Sequence, residues 1–303
     1  MNIPAPRLLL PCAALSAIIL AAPALSAPSA AGEKNGGDGE NPWSIALRLD
    51  YATADARFAQ MHAAAPDDAR ATIGYACTLL VRQPRTEGNI GKARALLMHT
   101  AEAASTETEE RILCRYLAAR IDQDHRSPAR PDDAVTAYEN LVRDYPGHEL
   151  ADQAAVQLAL IFAFGPPQPD KPSGAAAASP DDVVARIEEL LAGARHAEAR
   201  RELHIVLARF HWQARQAVAP AIAHLLAARR IPCEKPFRDA ELDLMIGSLA
   251  QREGDAELAV AHYEAFAEAN RRDPRTGTVR RLVAGLKAAS AQAASGHKTP
   301  ARP

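Results

Sequence analysis

Residues 246–266 read IGSLAQREGDAELAVAHYEAF, in which Ile246-Gly247-x-x-Ala250 is followed by Ala259-x-x-x-Tyr263-x-x-Phe266. Small residues recur at helical spacing on both halves, and bulky apolar residues stand between them. That frame predicts a helix-turn-helix unit. The small positions let two antiparallel helices approach closely, and the bulky ones fill the space between that pair and the next.

Two further copies lie upstream. In the first, Ala54, Phe58, Met61 and Pro66 keep the second-helix spacing, and the next helix opens with Ile73-Gly74-x-x-Cys77. In the second, Ala134, Tyr138, Leu141 and Pro146 lead into Leu158-Ala159-x-x-Phe162, within AVTAYENLVRDYPGHELADQAAVQLALIFAF at residues 134–164. Helix-period segments over 93–121 and 183–229 fill the intervals. The frame resembles the tetratricopeptide repeat, a unit of about 34 residues. The stretch 134–164 is locally similar to repeats of bacterial envelope proteins associated with Tol-Pal and outer-membrane barrel assembly. The resemblance implies an all-α, tetratricopeptide-like right-handed solenoid of antiparallel helix pairs that holds protein partners.

Composition agrees with the helical reading. The chain is 48% hydrophobic but only 5% aromatic, much of the apolar content is alanine, and no valine- and isoleucine-rich alternating run marks a strand. Residues 1–27 read as a secretory signal, with Arg7 before the apolar run Leu8–Ala22 and small residues at Ala22-Pro23-Ala24 and Ser26-Ala27. Pro11 and Pro23 argue against the competing reading, an uncleaved anchor of about 20 apolar residues. Leu9-Leu10-Pro11 before Cys12 lacks the small residue that lipidation there requires. Export to the periplasm is therefore expected. Secretion and membrane anchoring are the alternatives, and membrane association is expected only through partners. Removing Arg7 with the signal takes the formal charge from -2 to -3. This near-neutral balance lacks the basic surplus of nucleic-acid binding.

The expected organisation is a signal peptide at 1–27, a flexible leader at 28–41, N-terminal repeats over 42–164 and a Pro/Gly/Ala-rich loop at 165–181. C-terminal repeats and a capping helix follow over 182–290, with a disordered tail at 291–303. Shorter insertions near Arg82–Gly91 and Asp124–Arg130 lengthen turns. Pro-Asp-Asp recurs at Pro66, Pro131 and Pro180, each before an apolar-periodic run. Proline suits a first helical turn and aspartate complements its dipole, so these read as helix starts, the alternative being catalytic carboxylate pairs. Ser179 with Asp182, and Thr106 with Glu109, have capping-box spacing.

No GxSxG, HExxH, GxxxxGK[ST] or GxGxxG motif occurs, so no catalytic residue and no cofactor is assigned. His204 and His211 share one helix face but stand about 10 Å apart along it, with His196 before them, and His224 on the next helix is placed to intervene. Two readings stand, histidines at the surface or wedged between helices, and a metal site in a helical ligand-binding component of a cell-wall-processing system. Cys77, Cys114 and Cys233 remain after export. Cys77 and Cys114 lie on first helices of successive repeats, either as small core residues or as a bridge.

In tetratricopeptide arrays the first helix of each pair lines the concave face. Carried onto this chain, the resemblance implies a binding groove of Gln153, Val156, Leu160, Ala163 and Phe164 in the middle copy. In the last copy it implies Glu241, Leu244, Ser248, Gln251 and Arg252. The expected partners are other envelope proteins or peptides. The chain lacks the asparagine and lysine positions with which some arrays clamp a terminal carboxylate. Phe210 and Trp212 read as packing or groove residues. Arg271, Arg272, Arg275, Arg280 and Arg281 read as a solvated cap around a helix at 278–290 or as a docking patch for an acidic partner or anionic lipid.

Overall fold

A computed structural model gives the structure of the protein and describes residues 40–103, 106, 108–127, 130–165, 179–233 and 236–296. The expected signal peptide, nearly all of the expected leader and most of the 165–181 loop lie outside the described residues. Among the described residues the chain is all-α, with thirteen helices and no strand. They are α1 (Pro42–Leu47), α2 (Tyr51–Ala64), α3 (Ala69–Val81), α4 (Glu87–Glu102), α5 (Thr108–Asp124), α6 (Pro131–Asp144) and α7 (Glu149–Phe164). After these come α8 (Pro180–Gly193), α9 (Ala197–Gln213), α10 (Val218–Arg230), α11 (Pro236–Glu253), α12 (Ala256–Ala269) and α13 (Thr276–Gly296). The chain divides into two compact units, Met1–Ala154 and Ala155–Pro303.

Local chemistry sets the helix boundaries. Asp68, last of the first Pro-Asp-Asp, caps α3, its carboxylate accepting the backbone N–H groups of Arg70 and Ala71 at 2.9 and 3.1 Å. Pro131 and Pro180 occupy the first turns of α6 and α8, where a missing N–H costs nothing. Ser179 and Asp182 form the expected capping box, with reciprocal bonds of 3.1 and 2.9 Å. Thr106 and Glu109 do other work. The Thr106 hydroxyl donates to the Thr100 carbonyl at 2.7 Å, and the Glu109 carboxylate meets His148 at 2.9 Å. Gly254, at φ +87°, makes the turn from α11 to α12 in a conformation that would strain any other residue. Asp255 then caps α12 by accepting the Leu258 N–H at 3.0 Å.

Helix α8 starts at Pro180, at the third Pro-Asp-Asp. Two boundaries differ from expectation. The turn after α3 spans only 82–86, because Thr86 caps α4 and residues to Gly91 are helical. Helix α13 runs on to Gly296, into the expected tail, since the Ala-rich segment beyond residue 290 contains no helix breaker before Gly296.

Within each unit a helix packs chiefly against the helices before and after it in sequence. In the N-terminal unit the α2–α3 contacts run in opposite order along the two helices, so they are antiparallel. Asp55 meets Thr78 (2.9 Å) and Arg82, while His62 meets Thr72 (2.8 Å). The Phe58 ring lies between them against Gly74, and Trp43 of α1 closes its far side edge-on at 4.9 Å. In the C-terminal unit the Tyr263 ring of α12 covers Gly247 of α11 in the same way, beside the fully buried Ala259 and Phe266.

Alternate helices are joined sideways by polar and ionic side-chain pairs 34 to 40 residues apart. In the N-terminal unit Arg70 reaches Glu110 (3.3 Å) and Arg85 reaches the His125 ring (3.0 Å), each across 40 residues. His148 meets Glu109 across 39 residues. In the C-terminal unit Arg238 reaches Glu198 (2.8 Å) across 40 residues, and Arg201 reaches Asp239 (2.7 Å) across 38. Arg275, just before α13, reaches Glu241 of α11 (2.8 Å) across 34 residues, so the lateral spacing runs from the 34 residues of the tetratricopeptide unit that the frame resembles up to 40. Helices of 17 and 18 residues, as at α9 and α11, take up the difference.

A substitution at Gly74 tests the helix contact. An alanine there gains about 1 kcal/mol of helix propensity. Its Cβ, however, would stand 2.2 Å from a Phe58 ring that is 1% exposed and has no room to retreat. Overpacking of about 1–3 kcal/mol outweighs the gain. Gly74→Ala is therefore expected to lower the urea midpoint, and Phe58→Leu in the same chain to restore part of the loss. Additive destabilisation by the two changes would show that ring and glycine do not meet.

Candidate functional site

The functional candidates concentrate on α9, α10 and α11 in the C-terminal unit. Helices α9 and α11 run parallel, as their contacts show by rising together. Glu198 and Glu202 meet Arg238, Arg201 meets Asp239, and Trp212 meets Arg252. At one end of this face the Arg252 guanidinium stacks over the Trp212 ring, 4.2 Å from its centroid, with Arg252 exposed and Trp212 half-buried.

The expected groove residues go in several directions. Of those on α11, Leu244 packs against the core, Glu241 pairs with Arg275 (2.8 Å), and Ser248 and Gln251 both hydrogen-bond the Tyr263 phenol of α12. Only Arg252 faces α9. On α7, Val156 is buried among Val184, Ile187 and Leu203, with Leu160 and Ala163 packed against that cluster. Gln153 bonds Glu149 one turn back (3.3 Å), and Phe164 is 43% exposed. Phe210 is core, whereas Trp212 serves the face. The arginine group near the C-terminus is likewise divided. Arg275 is held by Asp273 and Glu241, and Arg281 bonds Thr278, while Arg271, Arg272 and Arg280 are exposed.

Behind the face lies an ionic network that the sequence does not announce. Arg201 is 1% exposed, and its guanidinium donates to the Ile231 carbonyl (3.0 Å) and to Asp239 (2.7 Å). Arg229 joins Asp239 (3.3 Å) to the buried Asp243 (3.1 Å), which also meets His262 at 2.9 Å. Burial alone would raise the Asp243 pKa, but hydrogen bonds from His262 and Arg229 outweigh it and hold the carboxyl below its ordinary range. Four helices, α9 to α12, are tied by these groups. Arginine, aspartate and histidine at such positions are indistinguishable in sequence from solvated surface charge until the helices are paired.

The histidines do meet, as the seven-residue spacing allowed. His224 of α10 inserts between His204 and His211 of α9. Its Nδ1 is 3.1 Å from the His204 Nδ1, and its ring stacks on His211 at 5.5 Å and 14°. His211 is 94% buried, and its Nδ1 has no hydrogen-bond partner. His196 is the N-cap of α9, two turns before His204. Among the described residues no three His, Cys, Asp or Glu side chains converge as metal ligands. Cys77 and Cys114 do not form a disulfide, and burial pushes both up to about 12, which keeps them protonated and unreactive.

No protein-family model matches this chain, and no curated protein matches it in sequence. Among the described residues no helix is long and apolar enough to cross a membrane.

Charges that build the scaffold and the charge free to meet a ligand can be separated by mutation. An exposed cation–π contact contributes about 0.5–1 kcal/mol, so Arg252→Ala should leave the thermal midpoint nearly unchanged. Asp243→Asn removes a buried carboxylate from its hydrogen bonds with Arg229 and His262 and should cost about 1–3 kcal/mol. Equal losses in the two variants would place Arg252 in the structural network.

Proposed function

We propose that this protein is an exported, non-enzymatic scaffold of tetratricopeptide-like helix pairs that holds protein or peptide partners of the bacterial cell envelope. The observation that carries the reading is the parallel pairing of α9 with α11, with an exposed arginine stacked on a half-buried tryptophan at one end. Helix pairs repeated with a constant lateral register present their first helices side by side, which is how solenoid scaffolds build an extended binding face. Tryptophan and arginine are the residue types that dominate binding energy at protein interfaces. Neighbour-to-neighbour packing and ring-on-glycine contacts in both units support a solenoid of repeated pairs. The apolar run before small residues at 22–27 supports export.

Two measurements test this reading. A photo-crosslinking amino acid in place of Arg252 should give a discrete adduct in intact cells, and one in place of Arg281 should not. Adducts only from position 281 would move the binding surface to the C-terminal arginines, and adducts from neither would remove the basis for the scaffold reading. For export, the intact mass of protein recovered from its native envelope should lack about 24–30 N-terminal residues. Recovery of the full-length chain overturns the exported assignment.

A further inference from the structure

The histidine cluster carries an inference of its own, independent of what the α9–α11 face binds. The His204 and His224 nitrogens are 3.1 Å apart and their ring centroids 5.4 Å apart, so the two nitrogens face each other nearly along the line joining the rings. That is the geometry of an N–H···N hydrogen bond, in which one imidazole donates and the other must keep its lone pair. Zinc bound by two imidazoles would sit about 2 Å from each nitrogen at an apex off that line. The ligand suited to this pair is a single shared proton. His211 completes the cluster, stacked on the other side of His224 with a buried Nδ1 that meets no acceptor.

We propose that His204, His211 and His224 form an acid-operated latch, closing α9 against α10 while neutral and releasing this helix pair when the cluster gains charge.

A proton on both His204 and His224 would set two N–H groups against each other. A proton added to the His211 Nδ1 would create a buried donor without a partner. The surrounding charges largely reinforce this. Arg200 acts on His204 from one turn earlier in α9. Arg215, four residues after His211 and itself paired with Asp181 of α8 (2.7 Å), acts on His211. Glu188 of α8 is the one group acting on His211 that favours its protonation, and the groups acting on His224 are the other two histidines. Burial, followed by these charges, lowers all three pKa values, that of His224 to about 4. The closed pair therefore binds fewer protons than the open one. Closure is fully favoured above the ordinary histidine value of about 6.5, weakens as pH falls toward 4, and changes no further below that. Aliphatic side chains that do not titrate, Ala208, Ala221 and Leu225 among them, pack beside the cluster. The other charged link between the two helices is the network of Arg201 and Arg229 on Asp239, which continues to Asp243 and His262 and which His224→Gln leaves in place.

Hydrogen exchange on the full chain, corrected for the intrinsic pH dependence of exchange, reads the latch directly. A shift from about 6.5 to about 4 gives roughly thirty-fold at pH 5. Solvent screening of the half-buried His224 reduces this, and the opening constant of α9–α10 is expected to rise about ten-fold between pH 7.5 and 5. His224→Gln keeps a hydrogen-bonding side chain that cannot titrate and should reduce the rise to less than about two-fold, with α3–α4 unchanged in both proteins. An equal rise in wild type and variant, or parallel opening of α3–α4, overturns the proposal. Side-chain titration of the wild-type histidines by NMR needs no variant. At least one of the three should titrate well below the ordinary histidine range, and three ordinary midpoints would overturn the latch.

Discussion

The contact on which the helix pairs depend is an aromatic ring seated on a glycine. At Gly74 and Gly247 the missing Cβ is what lets Phe58 and Tyr263 lie flat against the neighbouring helix backbone. Helices that approach this closely exclude water along the whole seam, and the alanines around the contact, Ala54 and Ala71 in one pair, Ala250 and Ala259 in the other, are almost fully buried as a result. The ring's own surroundings then fix its position. Trp43 holds Phe58 from α1, and Ser248 and Gln251 hold the Tyr263 hydroxyl.

Ring seats set the distance between neighbouring helices but leave their sliding and the placement of alternate helices open. Arginine pairs spanning 34 to 40 residues supply that register. Most lie at the surface, where an ion pair contributes about 0–1 kcal/mol, so their role is alignment more than stability. The exception is Arg201. Its buried guanidinium is tied to a carbonyl and a carboxylate, and displacement along α11 would strand it. This fixed register sets Trp212 opposite Arg252, and at the α9–α10 seam His224 lies between two imidazoles two turns apart on α9.

Much of the fold was legible in the sequence because it rests on short-range rules. Helical periodicity, the Pro-Asp-Asp starts, the Ser179–Asp182 box and the small-and-aromatic frame act within a few residues, so spacing alone exposes them. The meeting of His204, His211 and His224 was also within reach, since two turns on one helix leave a gap the width of one ring. The expected groove was less legible. Positions borrowed from a 34-residue frame were laid on a chain whose lateral contacts span 34 to 40 residues, and of those on α11 only Arg252 meets α9. Ser248 and Gln251 turn to Tyr263, and Leu244 turns to the core.

What the sequence by itself determined is helicity, the helix starts and the identity of the paired small and bulky positions, because backbone hydrogen bonding, capping and side-chain volume are properties of neighbouring residues. Tertiary structure alone decided which charges are buried and which histidines stay neutral. Arg201 and Arg252 are chemically identical and both lie within apolar-periodic helices, yet one is 1% exposed and bound to Asp239 while the other lies exposed on Trp212. The difference is the desolvation each experiences once α9 and α11 are side by side, a quantity set by residues some forty positions away.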